Sequence, residues 1–132
     1  MEIIMPLAML FLHVIADFYM QGILAKMKQK SWWEENYPEP QYALDYRTAL
    51  YQHAFMWSFM ILIPPILYYT IIGCGTKFYI ACVILFILNT FIHAAIDDAK
   101  ANKKTINLTT DQDLHTVQIM ISSIVLTIAA HI

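Results

Sequence analysis

Long apolar stretches that carry their own ionisable residues leave a chain few ways to fold. Here residues 3–26, 46–72, 78–99 and 111–131 are each apolar over roughly the twenty residues that a helix needs to cross a bilayer. Three of them contain a histidine and an aspartate four positions apart: His13 and Asp17, His93 and Asp97, Asp111 and His115. On a helix that spacing puts both side chains on one face. The order is His before Asp in the first two pairs and Asp before His in the third. If the stretches alternate direction through a membrane, the first and third run opposite to their neighbours. The reversal then brings each Asp to the same side, with its His one turn deeper. Charged groups in lipid are costly and mark functional sites by default.

Composition supports lipid as the main solvent. Hydrophobic residues make up 59% of the 132 and charged residues only 14%, against ~45–50% and about 25% in a soluble domain. The expectation is one all-α domain: a four-helix transmembrane bundle with a Trp/Tyr-rich interfacial segment between helices 1 and 2. The opening MEIIMPLAML has neither a basic region nor a small-residue cleavage site, so it reads as a retained first span. Net charge is −2 and there is no basic stripe with interleaved aromatics, which excludes nucleic acid as a partner. Cys74 and Cys82 form no CxxC pair and read as small apolar fillers.

The connections set the orientation. Lys26, Lys28, Lys30 and Arg47 lie between spans one and two, and Lys100, Lys103 and Lys104 between three and four; only Lys77 lies in the turn between two and three. Positive residues favour the cytoplasmic side, so both termini are expected outside the cytoplasm and the protein in the inner membrane. Gly73 and Gly75 suit a tight hairpin. Pro64 and Pro65 should kink or restart the second span. Thr109 or Thr110 is the expected cap of the last helix, with Asp111 in its first turn. SWWEENYPEPQY, with Pro38 and Pro40, reads as an interfacial collar or as a lid over a cytoplasm-facing site.

The polar residues form stripes: His13, Asp17 and Gln21; Asn89, His93, Asp97 and Lys100; Asp111, His115, Gln118 and Ser122. His53 stands near the start of the second span. At ~1.5 Å per residue these groups fall in one half of the bundle, His13 the deepest. Asp98, Asp113 and His131 lie off the stripes and read as solvated or interfacial. Imidazole and carboxylate are ligands for divalent metals such as zinc. His13, Asp17, His53, His93, Asp97, Asp111 and His115 are therefore the candidate ligands. They exceed one tetrahedral set, and the surplus suits hydrogen bonds to the ligands or a second ion. A buried hydrogen-bond network that only joins helices is the alternative for any one of them.

The motifs HVIADFYMQ (13–21), YQHAF around His53, HAAIDDAK (93–100) and DQDLH (111–115) resemble those of a family of small bacterial and phage integral membrane proteins of unknown function. That family is similar to membrane-bound metal-dependent hydrolases. The resemblance implies a site at His13, Asp17, Gln21, His53, His93, Asp97, Lys100, Asp111, Gln112 and His115, while the stretch after Lys30 is longer than the family's linker. The expected function is a membrane-embedded metal-dependent hydrolase acting on a lipid or lipid-linked phosphoester. Asp17 and Asp97 would be catalytic, with Lys100 holding an anionic headgroup. Two other classes stay open: a proton or metal-ion relay, which would need more polar groups or a homo-oligomer, and a non-enzymatic membrane protein such as a phage holin.

Overall fold

A computed structural model describes residues 4–132, and all of its regular structure is helical. Helix α1 (Ile4–Val14) continues into a π-helical turn at Ile15–Tyr19. Two short helices follow, α2 (Leu24–Met27) and α3 (Lys30–Asn36), then a 3-10 turn at Pro40–Tyr42. The long helices are α4 (Asp45–Ile72, 28 residues), α5 (Thr76–Ala101, 26 residues) and α6 (Leu108–His131, 24 residues). These three are long and apolar enough to cross a membrane; Ile4–Tyr19 is shorter.

Each long helix is built from local causes. The Gly73–Gly75 turn separates α4 from α5 as expected, and Gly73 takes φ +87°, which glycine adopts without steric cost. Pro64 and Pro65 do not restart α4, which runs through them as one helix. Each proline removes one backbone donor, and the neighbouring turns hold the segment. The cap of α6 is Asn107 rather than Thr109 or Thr110: its side chain accepts from the Thr110 backbone N–H at 2.9 Å. Asparagine one position ahead of the helix reaches an unpaired donor that a threonine inside the first turn cannot.

The first stretch differs most from expectation. Its sequence start at Ile3 lies outside the described residues. Its helix ends at Tyr19, not near residue 26. The Met20 N–H bonds back to the Ile15 carbonyl at 2.9 Å, a five-residue span that widens the last turn. Gly22 then takes φ +52°, a left-handed conformation that ends the helix. The chain folds back, and α2 and α3 lie against α4.

Helix α4 packs on α5, α5 on α6, and α1 on α4 and α6. One half of the interior is apolar, centred on Met9, Trp57, Ile61, Phe78, Ile119 and Leu126. The other half is polar: Asp17, His53, His93, Asp97, Asp111 and His115 are all buried. Ala54 and Ala94, both buried beside Leu50, let α4 and α5 approach closely there. Outside, Phe55, Phe59, Ile84, Phe91, Ile121 and Ile124 are exposed. Such a belt exceeds what a soluble monomer shows and is consistent with a membrane protein.

The cap makes a direct prediction. Asn107→Ala should destabilise the fold by about 1 kcal/mol, whereas Thr109→Ala should be near neutral. Thermal unfolding of the detergent-solubilised protein measures both, and equal effects would reject Asn107 as the cap.

Candidate metal centre

The polar half of the interior forms where α1 ends, α4 begins, α5 ends and α6 begins. This is the juxtaposition that the reversed His/Asp order requires. Asp17 comes from the π-turn, and such widened turns recur at functional sites. His53 lies two turns into α4, His93 and Asp97 near the end of α5, and Asp111 and His115 in the first turns of α6.

Asp17, His53, His93 and Asp97 each present one ligand atom, all within 4.8 Å of one another and all buried. His53 Nε2 lies 3.0 Å from Asp17 Oδ1, 3.4 Å from Asp97 Oδ2 and 3.2 Å from His93 Nε2. His93 Nε2 lies 3.7 Å from Asp97 Oδ2 and 3.9 Å from Asp17 Oδ1. Four ligands at about 2.0–2.1 Å from a tetrahedral ion stand roughly 3.3 Å apart. The five distances scatter around that edge length, so the residues fit a divalent ion of zinc's size. Two imidazole Nε2 atoms facing each other at 3.2 Å point the same way, since at most one hydrogen can lie between them.

The rings are held by stacking. Trp57 lies on His93 with centroids 4.2 Å apart, and His93 lies on His115 at 4.1 Å. His115 Nε2 stands 3.6 Å from both Asp97 Oδ1 and Asp111 Oδ1. A second group, Asp17, Asp111 and His115, also places three ligand atoms within 4.8 Å.

His13 is placed differently. Its Nδ1 accepts from Trp57 Nε1 at 2.7 Å, and its Nε2 faces Gln112 Oε1 at 3.1 Å. Both nitrogens are engaged, so His13 falls outside the ligand groups among the described residues. The reason is depth: one turn above Asp17 it meets Trp57 rather than the carboxylates. Its partner Gln112 donates from Nε2 to Asp17 Oδ2 and Asp111 Oδ2, both at 2.9 Å. The first His/Asp pair is thus joined through Gln112 rather than directly. Gln21 reaches Asp17 Oδ1 only at 3.4 Å.

Two lysines offset part of the carboxylate charge. Lys100 Nζ bonds Asp111 Oδ2 at 2.5 Å and stands 4.0 Å from Asp97 Oδ1. Lys28 Nζ bonds Asp97 Oδ2 at 2.6 Å. Lys28 was not among the expected site residues. It sits just after α2, off every stripe, and its sequence context marks it only as an orientation charge. The fold-back at Gly22 is what delivers it, and Asn102 fixes it there. Asn102 Nδ2 donates to the Lys28 carbonyl at 3.1 Å, and Asn102 Oδ1 accepts from the Lys30 N–H at 2.7 Å. Trp33 anchors the same segment through Nε1 to the Met27 carbonyl at 2.6 Å.

Deeper along the stripes, Asn89 donates to Ser122 Oγ at 3.0 Å and accepts from Gln118 Nε2 at 2.9 Å. This network joins α5 to α6 without ionisable groups. Asp98 pairs with Lys103 at 2.9 Å, and Asp113 and His131 are exposed, as their place off the stripes implies. A groove of about 600 Å³ along α4 is lined by Leu24, Arg47, Tyr51, Gln52 and Phe55 and includes none of the cluster. It lies on the outward side of the helix whose inner side carries His53.

The buried Lys28–Asp97 pair should matter far more than a surface pair. Lys28→Met in the metal-free protein should cost about 3–5 kcal/mol, because it leaves Asp97 in the interior without its cation. Lys30→Ala breaks a pair with Glu34 whose side chains are 53% and 63% exposed and should cost at most about 1 kcal/mol. Chemical or thermal unfolding of the two variants compares them, and equal losses would contradict the placement of Lys28.

No protein-family model, no curated protein and no solved structure matches this chain.

Proposed function

We propose that the protein is a membrane-embedded, metal-dependent hydrolase of a lipid or lipid-linked phosphoester. The observation that carries this reading is the buried set Asp17, His53, His93 and Asp97, spaced as ligands of one divalent ion. The motif resemblance to small membrane proteins akin to metal-dependent hydrolases points the same way. A divalent ion held there would supply Lewis acidity and, once its coordination expands beyond the four side chains, would lower the pKa of water toward neutrality. The protein's own residues do the rest. A cluster carboxylate takes the proton that the attacking water releases. Lys28 and Lys100 sit on the side where the helices begin and end, and their ammonium groups offer an anionic headgroup its counter-charge. Water's oxygen forms the new bond to phosphorus, the ester P–O bond breaks, and the alcohol leaves with the proton that the carboxylate took from the water.

The membrane arrangement belongs to the same proposal. Helix α1 joins the three long helices as a fourth member of a transmembrane bundle in the inner membrane. The cation-rich connections face the cytoplasm, both termini face away, and residues 28–45 lie at the interface as a lid tied down by Lys28. Membrane lipid is the partner. Ion or proton conduction is less well supported, because Met9, Ile61, Ile119 and Leu126 are fully buried and close the far half of the interior with apolar side chains.

Two experiments test the proposal. Protein purified in detergent and loaded with Zn²⁺ should release headgroup or phosphate from vesicles of mixed zwitterionic and anionic phospholipid. Asp97→Asn should abolish release and His53→Ala should also empty the first site, with the helical fold retained. A melting temperature that falls in step with activity across Asp17, Asp97 and Asp111 variants would instead favour a structural network, worth about 1–2 kcal/mol per buried hydrogen bond. For orientation, single cysteines introduced as Gly75→Cys and Lys103→Cys in a cysteine-free background should label from opposite faces. Labelling of position 103 from the non-cytoplasmic side would invert the arrangement.

A further inference from the structure

The first tetrad leaves a set of ligand atoms unused. Asp97 Oδ1, Asp111 Oδ1 and His115 Nε2 have no hydrogen-bond partner among the described residues. All three residues are 0% exposed. An isolated buried carboxylate oxygen is expensive, and two beside an imidazole nitrogen more so. Yet His115 Nε2 is 3.6 Å from each oxygen. That is too long for a hydrogen bond, but close to the roughly 3.3–3.6 Å edge between ligands of one ion. The other oxygens of these carboxylates are already engaged: Asp97 Oδ2 with Lys28 and the first tetrad, Asp111 Oδ2 with Lys100 and Gln112. Both orphan oxygens therefore converge on His115 Nε2, with Lys100 Nζ 4.0 Å from Asp97 Oδ1.

We infer that the centre holds two divalent ions, the second bound by Asp17, Asp111 Oδ1 and His115 Nε2, with Asp97 reaching across from the first through Oδ1 as a bridge. The inference rests on the metal-dependent reading above and extends it. Asp97 gives Oδ2 to the side of His53 and His93 and Oδ1 to the side of His115. Asp17 belongs to both ligand groups and is the natural second bridge. A carboxylate bridge fits the ~3.5–4 Å separation of two-metal centres. The stacked rings of His93 and His115 set the two sides next to each other, one imidazole for each ion.

The second ion also changes the charge of the site. Three carboxylates stand against two ammonium groups; two divalent ions turn this to three net positive charges with neutral histidines. Such a centre is built for a phosphoryl group, whose non-bridging oxygens two ions and two lysines can share.

Metal alone tests this in the full chain, purified in detergent and stripped with a chelator. Equilibrium dialysis against Zn²⁺ should give two ions per chain by elemental analysis. Mn²⁺ loading should give the exchange-coupled electron paramagnetic resonance spectrum of a bridged pair. Asp111→Asn and His115→Ala should each leave one ion per chain and the six-line spectrum of isolated Mn²⁺. One ion per wild-type chain at saturation, unchanged in Asp111→Asn, would overturn the second site while leaving the first. Two ions without coupling would overturn the bridge. No bound ion would overturn both this inference and the metal-dependent reading. If a variant fails to fold, the wild-type stoichiometry and coupling decide alone.

Discussion

Three carboxylates buried in the same half of a narrow helical bundle are the constraint to which the other polar features answer. Removing a carboxylate from water costs several kcal/mol even after relaxation, and only close opposite charge or coordination recovers it. Each aspartate here has a separate response within hydrogen-bond reach. Asp97 takes Lys28, Asp111 takes Lys100, and Asp17 takes His53 and Gln112. These partners come from four segments of the chain. The carboxylates therefore do more than sit in the bundle; they determine which ends of which helices must meet. The far half of the interior, filled by Ile61, Phe78 and Leu126, could tolerate repacking among apolar side chains. The polar half has no such freedom.

Much of this was legible in the residues. A four-residue spacing between His and Asp defines one helix face, and the inverted order at Asp111 and His115 fixes the relative direction of α5 and α6. That is why His93, Asp97, Asp111 and His115 converge as their stripes imply, and His53, a lone polar residue near the start of its span, joins them at the same depth. Asp17 converges too, although its helix ends sooner than the apolar run does. What stayed hidden depends on irregular backbone. No periodicity reports a π-turn at Ile15–Tyr19 or a left-handed Gly22, because each is set by a single local hydrogen bond or dihedral. Lys28 was invisible for the same reason. Its approach to Asp97 spans 69 positions and depends on that reversal. The cap of α6 was missed by a small margin, since Asn107 and the two threonines are all competent capping types and only the dihedrals choose between them.

The segment from Lys28 to Tyr42 ties the outer surface to the centre. Trp32, Trp33, Tyr37 and Tyr42 form a continuous run of ring contacts, and aromatic rings of this kind suit the boundary between lipid and water. Its inner end is Lys28, which is buried, and its attachment to α5 is Asn102 at the end of that helix. Any displacement of this segment therefore withdraws a positive charge from Asp97. Any cation placed beside Asp97 Oδ2 competes with the same ammonium group.

His13 shows why a residue that shares the pattern need not share the role. Its ring uses one nitrogen on Trp57 and the other on Gln112, and it lies edge-on to Trp57 with centroids 5.8 Å apart. Trp57 in turn stacks on His93, and Gln112 bridges Asp17 and Asp111. His13 thus orients two side chains that both touch the cluster. With Nδ1 accepting from the indole, Nε2 carries the proton and donates to Gln112 Oε1. That donation leaves the Gln112 amide N–H groups facing the two carboxylates. A metal ligand would need a free lone pair, and the one on neutral His13 already accepts from Trp57. Its contribution is to fix the amide that holds α1 and α6 together across the centre, which a lone histidine facing lipid could not do.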